Sequence, residues 1–270
     1  MNRRVRLLGV PWDEQSSFAR GAAAAPDVIR RALATPSSNL STETGPDLVA
    51  GVHLVDGGNV RVPRGDPAAA AAEITRAADA AMADGSALLA LGGDHAVTFP
   101  LVRAHAQRHR GLSILHLDAH PDLYEDFEGQ PYSHASPFAR ILEGGHARAL
   151  VQVGIRTLND AQRTQVSRFG VRQLAARDFS EAAVESLRLD GPVYLSLDLD
   201  VLDPAFAPGV SHHEPGGLTV REVLCVVQRF TGRLVGADVV ELNPSRDPSG
   251  VTAIVAAKLV KEITARLILA

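Results

Sequence analysis

Residues 112–122 read LSILHLDAHPD and residues 193–204 read VYLSLDLDVLDP. Each opens on a short apolar run with no regular polar alternation, and each closes on a set of carboxylates. Apolar runs of this kind are strands covered on both faces, which makes the sheet parallel and the fold α/β. Outward from these two, similar runs at Val5–Val10, Val52–Asp56, Ala87–Leu91, Ala149–Val153, Val171–Leu174 and Leu234–Val240 bring the expected strands to eight. Helix-start signals lie between them. Asp66–Pro67 precedes an alanine-rich segment, and Thr219 with Glu222 forms a capping box opening TVREVLCVVQRF. Strand–helix alternation without a Pro/Ser/Gly-rich linker predicts one domain over residues 1–270, with the polar stretch Ser37–Gly45 as a surface loop. Pattern alone leaves a closed barrel and an open sheet both standing.

Composition narrows the partners. Lys plus Arg number 27 against 31 for Asp plus Glu, a net charge of -4, so no positive field gathers phosphate backbones and nucleic acid is excluded as the main partner. The single cysteine, Cys225, rules out an internal disulfide or a four-cysteine zinc site and fits a reducing cytoplasm. The opening MNRRVRLLGVPWD has too brief an apolar stretch for a signal peptide, and no stretch reaches membrane-spanning length.

In parallel α/β folds the loops after the carboxyl ends of the strands form the site. Three of those ends are unusually polar. Gly92-Gly93-Asp94-His95 follows Leu91, and its glycines let the backbone turn sharply and present His95. Asp118, His120 and Asp122 fall at every second residue, on one side of an extended chain. Asp198 and Asp200 repeat that spacing before Asp203-Pro204 turns the chain. Four carboxylates and two imidazoles converging at buried strand ends repel and desolvate one another unless a cation compensates them. The set suffices for two divalent ions sharing carboxylates. Oxygen-rich ligands with two histidines favour Mn²⁺ over Zn²⁺ and Mg²⁺, with Fe, Co and Ni still open. Such ions bring the pKa of a shared water toward about 7, which makes hydrolysis the natural reaction class. A fourth strand end, GADVVELNP, adds Glu241, either an anion for a cationic substrate group or a turn cap.

The motifs GGDH at Gly92–His95, DAHPD at Asp118–Asp122, SLDLDVLDPAFAPG at Ser196–Gly209, GGLT at Gly216–Thr219 and VVELNP at Val239–Pro244, in this order, resemble the ureohydrolases: arginase, agmatinase and formimidoylglutamase. The resemblance spans nearly the whole chain and includes GVPWDEQSS and the GIR at Gly154–Arg156. It implies a three-layer α/β/α sandwich with a central eight-stranded parallel sheet, two Mn²⁺ ions per chain, and assembly into homo-trimers or hexamers. By position, one ion takes His95, Asp118, Asp122 and Asp198, and the other Asp118, His120, Asp198 and Asp200. Glu241 then grips a guanidinium group, Asp122 handles the nucleophile's proton, and His134 in YSHASP shuttles protons.

Specificity is where the chain departs from the family pattern. Tyr124 stands where arginases carry an asparagine for the substrate α-carboxylate, and Asn159 lies about where they use an aspartate for the α-amino group. Tyr124 and GVPWDEQSS are more similar to agmatinases, which puts agmatine ahead of arginine. In the loop Val210–Glu214, Ser211 follows the formimidoylglutamase habit, while the adjacent His212 and His213 match no subfamily. Formiminoglutamate, guanidinobutyrate and other linear guanidines or amidines remain alternatives. A catalytically idle homologue serving as a binding or regulatory subunit is the reading of a different class, and the intact ligand positions argue against it.

Overall fold

The computed structural model describes residues 4–50 and 52–270; residues 1–3 of the N-terminal stretch read for a leader, and Gly51, lie outside the described residues. Every expected strand forms, with ends shifted by a few residues: β1 Val5–Val10, β2 Leu54–Asn59, β3 Ala87–Gly92, β4 Ser113–Leu117, β5 Ala149–Ile155, β6 Arg172–Ala175, β7 Arg188–Asp198 and β8 Thr231–Val240. The helices are α1 Ala25–Leu33, α2 Pro67–Ala81, α3 Thr98–Arg108, α4 Pro137–Glu143, α5 Asp160–Phe169, α6 Glu181–Ser186, α7 Val220–Arg229 and α8 Val251–Leu269.

Local chemistry sets several boundaries. Asp66 accepts from the N–H groups of Ala68 and Ala69 and starts α2 with Pro67 in its first turn. Thr219 and Glu222 form the expected capping box on α7. α5 stops at Gly170, whose φ of 61° costs a glycine little.

The eight strands form one open sheet in the order β2-β1-β3-β8-β7-β4-β5-β6, and every neighbouring pair is parallel. Alternate residues point to opposite faces. Leu89, Leu115 and Leu195 pack with α1, α6, α7 and α8, and Leu88, Ile114 and Tyr194 pack under α2, α3, α4 and α5. The result is three layers. The loop at Ser37–Gly45 is held by Glu43: its carboxylate meets Arg221 at 2.6 Å and Lys258 at 3.2 Å, and its N–H donates to Glu262 at 3.0 Å. Arg221, against the opposing effect of burial, draws the Glu43 pKa down to about 2.

β8 and β7, late in the chain, occupy the centre between β3 and β4. The carboxyl ends of β3, β8, β7 and β4 therefore meet at one edge, where ligand crevices form in open α/β sheets. Among the described residues no helix is long and apolar enough to cross a membrane.

Candidate metal centre

β3 runs into Gly93, where a Cβ would stand 1.9 Å from the Trp12 carbonyl oxygen, so only glycine allows the approach that brings His95 over the sheet edge. Beyond β4 the chain carries Asp118, His120 and Asp122; β7 ends at Asp198 with Asp200 in the turn after it; and Glu241 follows β8. Asp122 and Glu241 sit at φ 50° and 66°, a left-handed conformation that costs a residue with a side chain about 1–3 kcal/mol and persists where the surroundings enforce it.

The six expected ligands converge. Nδ1 of buried His95 lies 3.0 Å from Asp118 Oδ2, 3.1 Å from Asp122 Oδ2 and 3.2 Å from Asp198 Oδ2, yet it makes no hydrogen bond of acceptable geometry. Nδ1 of His120 lies 3.0 Å from Asp200 Oδ2 and 3.4 Å from Asp118 Oδ1. The two oxygens of Asp118 thus face different imidazoles. Outward oxygens are tied to backbone: Asp198 Oδ1 accepts from Asp200 N–H at 2.7 Å and Asp200 Oδ1 from Ala119 N–H at 3.0 Å. Donor atoms around an octahedral ion bound at about 2.1 Å stand about 3 Å apart, which is the spacing around His95 Nδ1. An unsatisfied buried nitrogen facing three carboxylate oxygens fits a divalent cation.

The electrostatics agree. Burial would lower the His95 pKa, but Asp118, Asp122 and Asp198 hold it well above its usual value. Burial likewise opposes, and Asp200 with Asp118 overcomes it, pushing His120 up to about 12. Burial and the neighbouring Asp118 raise Asp200 to about 6, while burial, Asp200 and Asp118 raise Asp198 further. Protons here do what a cation would do.

His116 lies against the cluster but donates from Nε2 to Asp118 Oδ2 at 2.7 Å, while its Nδ1 accepts from the Gln152 amide at 3.0 Å. Both of its ring nitrogens are thus engaged, and it is placed to orient Asp118.

A cavity of about 190 Å³ opens from the cluster, lined by Asp122, Asp198, Asp200, His120, His134 and Glu241 at its inner end. Glu241 Oε1 accepts from His95 N–H at 2.9 Å and from His134 Nδ1 at 3.1 Å. Nε2 of His134 accepts the Ser17 N–H at 3.2 Å and meets the Ser17 hydroxyl at 2.9 Å. Against the effect of burial, Glu241 pushes His134 up to about 9.

Of the expected substrate residues, Tyr124, Asn159 and His212 line the cavity, together with Phe127, Thr157 and Gln162. Asn159 donates to the Tyr124 hydroxyl at 2.5 Å, and its other end caps α5 through Gln162 N–H at 3.0 Å. Ser211 and His213 lie elsewhere. Ser211 is buried against the Ala19 carbonyl and Asn243, and His213 meets the Pro208 carbonyl on the outside. Sequence reasoning missed Ser17, which holds His134 across 117 residues. It also missed the role of Arg156, whose guanidinium donates to the carbonyls of Asp200 and Glu214, both at 2.6 Å, and braces the turn after β7. The lone arginine in GIR was the available signal.

A model of the arginase family matches residues 3–265. Over 274 residues the chain is 48% identical to the mitochondrial arginase of Medicago truncatula, spanning 97% of this chain and 81% of that one. It is 34% identical over 266 residues to an agmatinase of Chromobacterium violaceum, spanning 94% and 81% respectively. A solved structure of arginase from Medicago truncatula superposes with a TM-score of 0.94 at 46% identity, covering 98% of this chain and 88% of that chain.

Proposed function

This chain belongs to the arginase family and is a ureohydrolase acting on amidine C–N bonds, and on that premise we propose that its substrate is L-arginine, cleaved by water to urea and ornithine. The observation that carries this choice is the charge distribution of the cavity. Its only Asp, Glu, Lys or Arg lining residues among those described are Asp122, Asp198, Asp200 and Glu241, all at the inner end. The outer wall of Tyr124, Phe127, Thr157 and Asn159 carries no charge. A guanidinium fits the anionic inner end. The distal end of arginine is a zwitterion of no net charge and suits the neutral wall, whereas the distal ammonium of agmatine would find no carboxylate there. The higher identity to an arginase than to an agmatinase supports the same order, which differs from the agmatine-first expectation resting on Tyr124 and GVPWDEQSS.

The metal is proposed as two Mn²⁺ per chain. His95, Asp118, Asp122 and Asp198 would hold one, and Asp118, His120, Asp198 and Asp200 the other. When bound, such ions supply a water acidic enough to serve as nucleophile near neutral pH and a positive charge that offsets the cluster. Glu241, oriented by the His95 N–H and by His134, pairs with the guanidinium and sets its central carbon over the cluster. Asp122 carries the nucleophile's proton to the leaving nitrogen as the C–N bond breaks. His134 exchanges protons with solvent beside the exposed Ser17.

We also propose one catalytic unit over residues 1–270, a cytoplasmic location and a homo-trimer or hexamer. Exposed Phe206, Val251 and Ile254 are apolar surface that association would cover. The deciding measurement is kcat/KM for arginine, agmatine, guanidinobutyrate and formiminoglutamate at equal manganese loading, with urea and formamide assayed separately. Arginine is expected to lead. Agmatine leading would reject the substrate assignment, and formamide production would move the reaction to formimino groups.

A further inference from the structure

Beneath the ligands, one row of polar side chains crosses the sheet in register. Gln173 pairs with Gln152, Gln152 with His116, His116 with Ser196 and Ser196 with Asp238, across β6, β5, β4, β7 and β8. Four of the five side chains are buried and Gln173 is partly so. Polar groups at the centre of a parallel sheet are costly unless every one is bonded. Here they are bonded in two directed chains.

On one side the Ser196 hydroxyl donates to Asp238 Oδ1 at 2.7 Å, which leaves the Ser196 oxygen to accept from Nε2 of His95 at 2.9 Å. Asp238 Oδ2 accepts from Thr98 at 2.9 Å and Tyr194 at 2.8 Å, so the carboxylate is spent on three hydroxyl donors. On the other side Gln173 donates to Gln152 at 2.7 Å, and Gln152 donates both to His116 Nδ1 at 3.0 Å and to the Pro121 carbonyl at 2.7 Å. The proton of His116 then lies on Nε2, toward Asp118.

We propose that this row is a positioning device for the metal centre: its Asp238–Ser196 end keeps the His95 proton on Nε2 and the Nδ1 lone pair toward the cluster, while its Gln173–Gln152 end keeps His116 a donor to Asp118 and not a ligand. The inference rests on the metal reading above and adds that ligand identity is enforced from a row reaching 57 residues away in sequence from His116 and 143 from His95.

The test is titration of the metal-free full chain with Co²⁺, following calorimetry and the visible spectrum, for wild type, Ser196→Thr, Ser196→Val and Gln152→Leu. Thr and Val have nearly the same shape, so their difference isolates the hydroxyl from packing. Second-neighbour groups of this kind typically change metal affinity about 10–100-fold. Ser196→Val is expected to weaken one ion by that factor and alter one set of absorption bands, and Ser196→Thr to retain both. Gln152→Leu is expected to weaken both ions, since Asp118 serves both. Equal affinities for Ser196→Val and Ser196→Thr, with a wild type that takes up two ions, would overturn the row while leaving the metal reading intact. A wild type that takes up no ion would overturn both.

Discussion

The imidazole of His134 and the carboxylate of Glu241 share a hydrogen bond of 3.1 Å across 107 residues of chain. It joins the side chain proposed to move protons to the one proposed to hold the guanidinium. Neither side chain is among the six expected ligands, so catalysis and metal loading can be separated by mutation.

His134→Asn keeps a donor toward Glu241 but loses the titrating ring. Turnover is expected to fall about 10²-fold, the usual scale of a lost proton-transfer group, with metal content unchanged and partial recovery on adding imidazole. Measured turnover equal to wild type would remove His134 from the mechanism.

Glu241→Gln removes the charge but keeps the shape that receives the His95 N–H. A charge-assisted hydrogen bond is worth about 1.5–3 kcal/mol, so kcat/KM for arginine should drop roughly 10- to 150-fold while the chain still loads metal. Steady-state kinetics beside elemental analysis checks both halves.

Asp118 presents one oxygen to each imidazole, and Asp198 is assigned to both ions. Asp118→Asn and Asp198→Asn are therefore expected to abolish tight binding of both metals, and Asp200→Asn, beside His120 alone, to weaken mainly one. Manganese per chain after gel filtration reads the difference; equal loss in all three would deny the shared role.

Asn159→Asp retains the cap on α5, because aspartate accepts the Gln162 N–H as well as asparagine does. It adds a carboxylate to the neutral outer wall. The ratio of kcat/KM for agmatine over arginine is expected to rise about 10-fold, since a lone distal ammonium gains most from the new anion. The melting temperature should stay near that of wild type, whereas Asn159→Ala should lose about 1 kcal/mol of stability.

Glu43 has its pKa drawn from 4.5 to about 2 in the folded chain. A carboxylate with a depressed folded pKa contributes stability in full above its unfolded value and loses it as pH falls through the folded one. The stabilisation from Glu43 is thus complete above about 4.5 and fades between there and about 2. Urea midpoints of wild type and Glu43→Gln should differ at pH 6 and draw together by pH 3. A gap that widens toward acid would contradict the assignment.

Most of the fold, and the set of polar side chains that converge at its edge, was legible in sequence for a shared reason. A buried parallel strand is an apolar run, and its carboxyl end is where the pattern breaks, so Asp118, His120, Asp122, Asp198 and Asp200 stand out against Leu117 and Leu197 without any knowledge of strand order. Asp238 and Gln152 sit inside the strands, and their meaning depends on which strands are neighbours. Only the sheet order pairs Ser196 with His116 on one side and Asp238 on the other. The sequence of the Val210–Glu214 loop offers Ser211, His212 and His213 as equal candidates, but successive side chains leave the backbone in different directions, and of the three only His212 lines the cavity. Pairings such as Ser17 with His134 have no local signal, because loops from distant strands make them.

The central place of β7 and β8 also dictates when the protein can work during its synthesis. Until residues 188–240 have emerged, β3 and β4 each lack one of the two neighbours they pair with in the finished sheet, and the earlier strands comprise two half-sheets, β2-β1-β3 and β4-β5-β6, each with a bare inner edge. Bare parallel edges invite pairing with other chains, and long-range strand insertion is slow. His95, Asp118, His120 and Asp122 are translated well before Asp198 and Asp200, so the full ligand set is assembled by the same event that closes the sheet. A ribosome-bound chain halted before β7 would therefore be aggregation-prone and incapable of capturing its ions in the native set, and loading of the nascent enzyme is tied to completion of its last strands.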